Sequence, residues 1–144
     1  MADKRAEVTW QGDLQGGKGV VERVGSGAIS SLPVSWAART GEEGSQTSPE
    51  ELIAAAHASC FSMALSKVLA DRGTPPERLS VSATVTFVPG TGVTRSALEV
   101  TGEVPGIDEA AFLEAAEQAK DNCPVSRALK GNVELSVQAR LQAS

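Results

Sequence analysis

Apolar positions recur with two different periods along this chain, and the switches between them mark its elements. Ala6 to Gln11 alternates, with Val8 and Trp10 set against Thr9 and Gln11, which predicts a strand. Gly12-Asp13 and the run Gln15-Gly16-Gly17-Lys18-Gly19 turn the chain into a second strand, Gly19 to Val24. Gly25-Ser26-Gly27 turns it again into a third, Ala28 to Leu32. Pro33 has no N–H to give to a sheet, so it marks an edge or a break before Val34 to Arg39. Thr40 to Thr47 reads as a polar, acidic, solvated loop. The Gly-rich run lacks the G-x-x-x-x-G-K-[ST] spacing of a phosphate loop and no helix follows it, so it reads as a hairpin turn.

From Ser48 the period lengthens. Ser48 as N-cap, Pro49 at the first helical position and Glu51 three residues after the cap form an S-x-x-E capping box. Asp71-Arg72-Gly73 ends the helix, and Pro75-Pro76 prevents its resumption. Leu52, Ile53, Ala56, Cys60, Met63, Ala64 and Leu69 recur at helical spacing, while Ala54, Ala55, Ala58, Ser59 and Ser62 keep the remaining surface narrow. A helix so poor in bulk admits close neighbours on more than one side.

Period two returns at Leu79 to Phe87, and Pro89-Gly90-Thr91-Gly92 turns this strand into Val93 to Val104, an antiparallel hairpin. Asp108 caps a second helix, Glu109 to Asn122, with Ala110, Phe112, Leu113, Ala116 and Ala119 on its inner face. Cys123 is then the N-cap of a short helix, Pro124 to Lys130. A final strand points Val133, Leu135, Val137, Ala139 and Leu141 inward. The pattern predicts one α+β domain over residues 1–144, with antiparallel sheets packed against a long central helix. The alanine-sheathed helix further predicts a homodimer that buries it from both sides.

Composition narrows the function classes. The net charge is −5 with no Lys-Arg cluster, which argues against a nucleic-acid partner. The N-terminus is charged, and no apolar run approaches the roughly 18 residues of a membrane span, so no membrane association is expected and the location reads as cytoplasmic. With 2 Cys and 1 His, a four-ligand structural zinc site is not expected, nor is any cofactor. In a reducing compartment the cysteines are redox-active, catalytic or buried.

A reactive cysteine needs a cation or a helix N-terminus to favour its thiolate. Cys123, placed before Pro124, meets the second condition, although an inert thiol buried between helices fits the same position. Cys60 lies about three turns into its helix and would depend on a residue brought by the fold; Arg39 is a candidate, and simple packing is the alternative. His57, three residues before Cys60, suggests a Cys-His dyad for acyl transfer. Both side chains leave one helix side by side, however, and a packed or hydrogen-bonded histidine fits better.

Two runs carry a family resemblance: Ser48-Pro49-Glu50-Glu51-Leu52 through His57-Ala58-Ser59-Cys60-Phe61-Ser62-Met63-Ala64-Leu65, and Cys-Pro-Val-Ser-Arg-Ala-Leu at Cys123 to Leu129. With V-T-W-Q-G-D near the N-terminus and V-P-G-I-D at Val104 to Asp108, the chain resembles the OsmC/Ohr family over essentially its whole length, and its OsmC branch in particular. The resemblance implies a thiol-dependent peroxidase, an intertwined homodimer, an organic hydroperoxide substrate with hydrogen peroxide as a poorer one, and an external dithiol reductant. By position, Cys60 corresponds to the peroxidatic cysteine, Cys123 to the resolving cysteine, Arg39 to the arginine that holds the thiolate and orients the peroxide, and Glu50 to the glutamate that positions that arginine. The family's arginine is commonly followed by an aromatic residue, where Thr40 stands here. Glu50 and Cys60 are ten residues apart, about 15 Å along a straight helix, so the site is expected to be composite, with Glu50 and Arg39 of one subunit approaching Cys60 of the other. Phe61, Met63, Trp36 and helix alanines are the expected pocket lining. Two other readings remain at this point: a stress-associated dimer that binds a ligand or partner without catalysis, and a Cys60-His57 hydrolase.

Overall fold

The structure, a computed structural model, describes residues 1–41 and 44–143. Glu42 and Glu43, at the centre of the expected acidic loop, lie outside the described residues, as does Ser144. The chain forms two compact units, Met1–Leu52 and Ile53–Ser144.

The first unit holds an antiparallel sheet of β1 (Ala6–Gln11), β2 (Lys18–Val24) and β3 (Ser30–Val34), in that order. The Gly-rich run is the β1–β2 turn. Gly19, the second residue of β2, lies so close under the Trp10 ring that a Cβ there would sit 2.5 Å from it, which is why glycine stands at that position. Pro33 lies within edge strand β3 rather than ending it, opposite Val20. Its carbonyl accepts the Thr47 N–H at 2.9 Å, so the chain returning from the loop covers part of that edge. The next residues, which no periodicity assigns, form a short helix α1 (Trp36–Thr40), capped by the Ser35 hydroxyl accepting from Ala38 N–H at 3.0 Å.

The long helix α2 (Pro49–Asp71) begins in this unit. Its expected capping box is half formed. Ser48 Oγ accepts the Glu51 N–H at 3.1 Å, but the Glu51 carboxylate turns to the Thr47 hydroxyl at 2.9 Å.

The second unit contains the remainder of α2, a sheet ordered β4 (Arg78–Val88), β5 (Gly92–Glu103), β6 (Glu134–Leu141), and two helices, α3 (Glu109–Asn122) and α4 (Pro124–Leu129). β4 and β5 form the expected antiparallel hairpin, but β6 pairs parallel to β5, so this sheet is mixed. The physical reason is the α3–α4 crossover, which returns the chain to the end of the sheet from which β5 started.

The buried row of α2 is His57, Phe61, Leu65 and Leu69, every fourth residue and all 0% exposed. Phe61, Leu65 and Leu69 share a core with Leu98 and Val100 of β5 and Phe112 of α3. This differs from the row expected from sequence, of which only Leu69 is fully buried; Ala56 is exposed and Met63 is 73% exposed. Large side chains decide the orientation, since burying a Phe or Leu contributes about 1.5–3 kcal/mol and an alanine far less. The same alanines make α2 long and apolar enough to cross a membrane by length and composition alone, contrary to the expectation from runs of apolar residues. That test is also passed by core helices, and the part of α2 in the second unit buries one row in that unit's core. On α3, Ala115 joins Phe112, Ala116 and Ala119 in the core, whereas the expected inner residues Ala110 and Leu113 are exposed.

Candidate active site

Cys123 occupies the junction of α3 and α4, with φ −57° and ψ 125°. Its N–H completes α3 by donating to the Ala119 carbonyl at 2.9 Å, and its own carbonyl opens α4 by accepting from Arg127 N–H at 3.0 Å. Pro124 fixes the first residue of α4 without needing a hydrogen-bond acceptor there. The Cys123 side chain is fully buried and makes no capping hydrogen bond. The amide attraction expected at Cys123 goes instead to the other cysteine, because the Val125 backbone N–H in the first turn of α4 donates to the sulfur of Cys60.

The Cys60 thiol also hydrogen-bonds the Cys123 side chain, and both cysteines are free thiols. The fold has therefore brought together the two sulfurs that sequence reading singled out. Burial pushes the Cys60 thiol above the ordinary cysteine range, the hydrogen bond and charge of Cys123 add to the rise, and the Val125 N–H offsets it only in part. Within this setting Cys60 is a thiol near neutral pH, and a cation is what it needs to ionise.

Beside Cys60 lies a cavity of about 550 Å³ with an apolar wall of Met63, Ala64, Val68 and Pro124 and basic side chains Lys67 and Arg72 farther along. Both basic groups are engaged: Lys67 Nζ lies 2.6 Å from Asp71, and Arg72 donates to Gln118 at 2.5 Å. Phe61, expected in the pocket, is instead sealed in the core. It is one position along from Cys60 and therefore on another side of the helix.

His57 is fully buried with both ring nitrogens occupied: Nδ1 is 2.6 Å from Ser96 Oγ of β5, and Nε2 is 2.7 Å from Ser126 Oγ of α4. Neither nitrogen is left to take a proton from Cys60, which argues against the hydrolase dyad. Burial also lowers the pKa of His57, so the ring is neutral. Ser126 lies inside the Cys-Pro-Val-Ser-Arg-Ala-Leu run, but the sequence assigns neither it nor Ser96 a role; only a buried histidine needing two partners would have pointed to them.

In the first unit, Arg39 stands on α1. Its Nε is 3.1 Å from each oxygen of Glu50, whose side chain is 8% exposed. The guanidinium also lies 6.0 Å from the centroid of the Trp36 ring, three residues earlier on the same short helix. The pair ties the short helix α1 to the first turn of α2. The four sequence-predicted residues thus form two pairs, Arg39 with Glu50 and Cys60 with Cys123. Among the described residues, no three His, Cys, Asp or Glu side chains cluster as metal ligands.

The geometry can be set beside known proteins. Residues 41–138 match the model of the OsmC-like protein family. The peroxiredoxin OsmC of Escherichia coli strain K12 is 40% identical over 141 residues, 95% of this chain and 96% of that protein. The organic hydroperoxide resistance protein of Xanthomonas axonopodis pv. citri is 33% identical over 98 residues, 67% of this chain and 69% of its own length. The crystal structure of the organic hydroperoxide resistance protein OhrB of Bacillus subtilis superposes with a TM-score of 0.66 at 25% identity, covering 94% of this chain and 98% of that one. A mixed α+β fold with two three-stranded sheets and one long helix, paired thiols at Cys60 and Cys123, and these matches agree: the chain belongs to the OsmC-like family.

Proposed function

We propose that this protein is a thiol peroxidase for organic hydroperoxides. The observation that carries the reading is the hydrogen-bonded contact between the Cys60 and Cys123 thiols at one end of an apolar cavity. The Cys60 thiolate attacks the terminal oxygen of the hydroperoxide. The O–O bond breaks, the alkoxide leaves with a proton as the alcohol, and Cys60 becomes a sulfenic acid. The Cys123 sulfur then displaces the hydroxyl, which departs as water, and a Cys60–Cys123 disulfide forms. An external dithiol returns both thiols by exchange.

The high pKa of Cys60 in its own setting is the reason a cation has a part in this scheme. Arg39, gripped at its Nε by Glu50, is the cation this reading assigns to that task and to orienting the peroxide. With Glu50 and Cys60 ten residues apart on α2, about 15 Å of rise, the cation comes from the second subunit of a homodimer. The names of the E. coli and Xanthomonas relatives support the substrate class.

The test is consumption of cumene hydroperoxide in the presence of dithiothreitol, with a mass measurement after one equivalent of peroxide without reductant. Wild type is expected to turn over and to lose two hydrogens. Cys60→Ser is expected to be inactive, and Cys123→Ser to complete one turnover and stall with one added oxygen. Equal rates for wild type and Cys60→Ser would refute the assignment.

A further inference from the structure

The peroxidase scheme uses Cys60 and Cys123 but not the buried cluster beside them. His57, Ser96 and Ser126 are each no more than 1% exposed, and no buried polar side chain among the described residues lacks a partner. A core position of this kind can be filled by apolar groups at equal or greater stability. What a fully satisfied polar cluster adds is one fixed arrangement of the elements it joins, here α2, β5 and α4.

The placement of the cluster relative to the thiols gives that rigidity a use. On α2, Cys60 follows His57 by three residues, and on the other side Cys123 precedes Ser126 by three. The His57–Ser126 hydrogen bond and the Cys60–Cys123 contact therefore run as two rungs between the same two segments, one helical turn apart. Ser126 is also the residue after Val125, whose N–H reaches the Cys60 sulfur. α4 has six residues and, apart from Ser126, only exposed or half-buried side chains, so its own packing holds it weakly.

We infer that His57 and Ser126 are positioning residues for the second half of the reaction, pinning the start of α4 so that Cys123 meets the oxidised Cys60. The inference rests on the proposed peroxidase reading. In the step concerned, the Cys123 sulfur forms a bond to the Cys60 sulfur, the Cys60 S–OH bond breaks, and the hydroxyl leaves with the Cys123 proton as water; the peroxide consumed earlier is the only oxidant. A disulfide demands a sulfur separation of about 2.05 Å and a narrow range of Cα separations. An error of about 1 Å in such a geometry costs up to roughly 100-fold in rate. Replacing Ser126 by Ala removes one rung while changing the shape by a single oxygen.

The experiment treats the reduced full chain with one equivalent of cumene hydroperoxide without reductant. Peroxide loss is followed separately from disulfide formation, and sulfenic acid is trapped with dimedone and counted by mass. Ser126→Ala is expected to slow disulfide formation tenfold or more, to accumulate the dimedone adduct, and to slow first-turnover peroxide loss by a smaller factor, so that the ratio of the two rates falls. Ser126→Thr, which keeps the hydroxyl, is expected to restore the fast step. Ser96→Ala removes the other hydrogen bond of the same imidazole and leaves the rung to α4, so it controls for general loss of stability and should form the disulfide within threefold of wild type. The equilibrium disulfide of Ser126→Ala against dithiothreitol should be at least tenfold weaker, a rise in potential of about 30 mV. His57→Gln is a second variant should Ser126→Ala not fold, and it should slow the same step. Disulfide formation at the wild-type rate in the folded Ser126 or His57 variant, or equal slowing by Ser96→Ala, overturns the inference. A wild type that consumes no peroxide or forms no disulfide overturns instead the peroxidase reading beneath it.

Discussion

Mild acid should weaken this fold through His57. His57 is the only histidine in the chain and is fully buried between two serine hydroxyls at 2.6 and 2.7 Å. A neutral imidazole can meet them with one N–H and one lone pair; a protonated ring would bring a second N–H and an uncompensated charge into the core. Burial accordingly holds the pKa of His57 below its ordinary 6.5. In the unfolded chain the ring takes a proton below about pH 6.5 while the native ring stays neutral, so its contribution is complete above that pH and is lost as the pH falls toward the native pKa. Between the unfolded and native pKa values the loss approaches 2.303RT, about 1.4 kcal/mol, for each pH unit of acidification. Unfolding entropy near 2.1 cal/mol/K per residue over 144 residues is about 0.3 kcal/mol/K, so Tm should drop by about 4–5 °C from this group for each such unit. Calorimetry at fixed protein concentration across that range, on wild type and His57→Gln, gives the difference directly, and the ring C–H proton resonances of the lone imidazole report its titration. An identical pH slope in both proteins, or an imidazole titrating near 6.5 in the native state, would refute the reasoning.

Three further outcomes are expected. Glu50→Gln leaves Arg39 without the carboxylate that grips its Nε, so the first-turnover rate should fall roughly tenfold or more and its pH profile should move upward, read by stopped-flow peroxide loss. Gly102→Ala places a Cβ 2.5 Å from the buried Phe112 ring and should cost about 1–3 kcal/mol in urea unfolding, part of which Phe112→Leu should return in the double variant. Ser48→Ala removes the cap of α2 and should cost about 1 kcal/mol with no change in the rate of disulfide formation.

The strands, the start and stop of α2 and the junction at Cys123 were all legible, because turns, caps and period two are local signals carried by a few residues each. The orientation of α2 was not. Its alanines and serines satisfy several helical stripes equally, and only the sheet and α3 decide that Phe61, Leu65 and Leu69 are the ones to bury. For the same reason β6 read as a strand without a direction, since alternation is identical in parallel and antiparallel pairing. At the site, the cysteines and the Arg39–Glu50 pair came from motif resemblance, and the structure adds their contacts. The direction in which α4 aims its amides was invisible: a helix N-terminus beside Cys123 suggested Cys123 as beneficiary, whereas Val125 serves Cys60 across the packing. Neither Ser96 nor Ser126, although the latter sits within the motif that begins at Cys123, has a role legible in the sequence, because a hydroxyl acquires meaning only when a buried partner faces it.

The parallel pairing of β6 with β5 bears on how the second unit assembles. β4 and β5 are joined by a tight turn and can zip locally within microseconds. β6 must wait for the whole α3–α4 excursion, and until it docks, the central strand keeps one edge open to any extended chain nearby. Non-local strand pairing of this kind is slow. The vulnerable species in refolding is therefore a hairpin with a bare β5 edge, and residues such as Glu99, exposed along that strand, are what discourage it from pairing with another copy of itself.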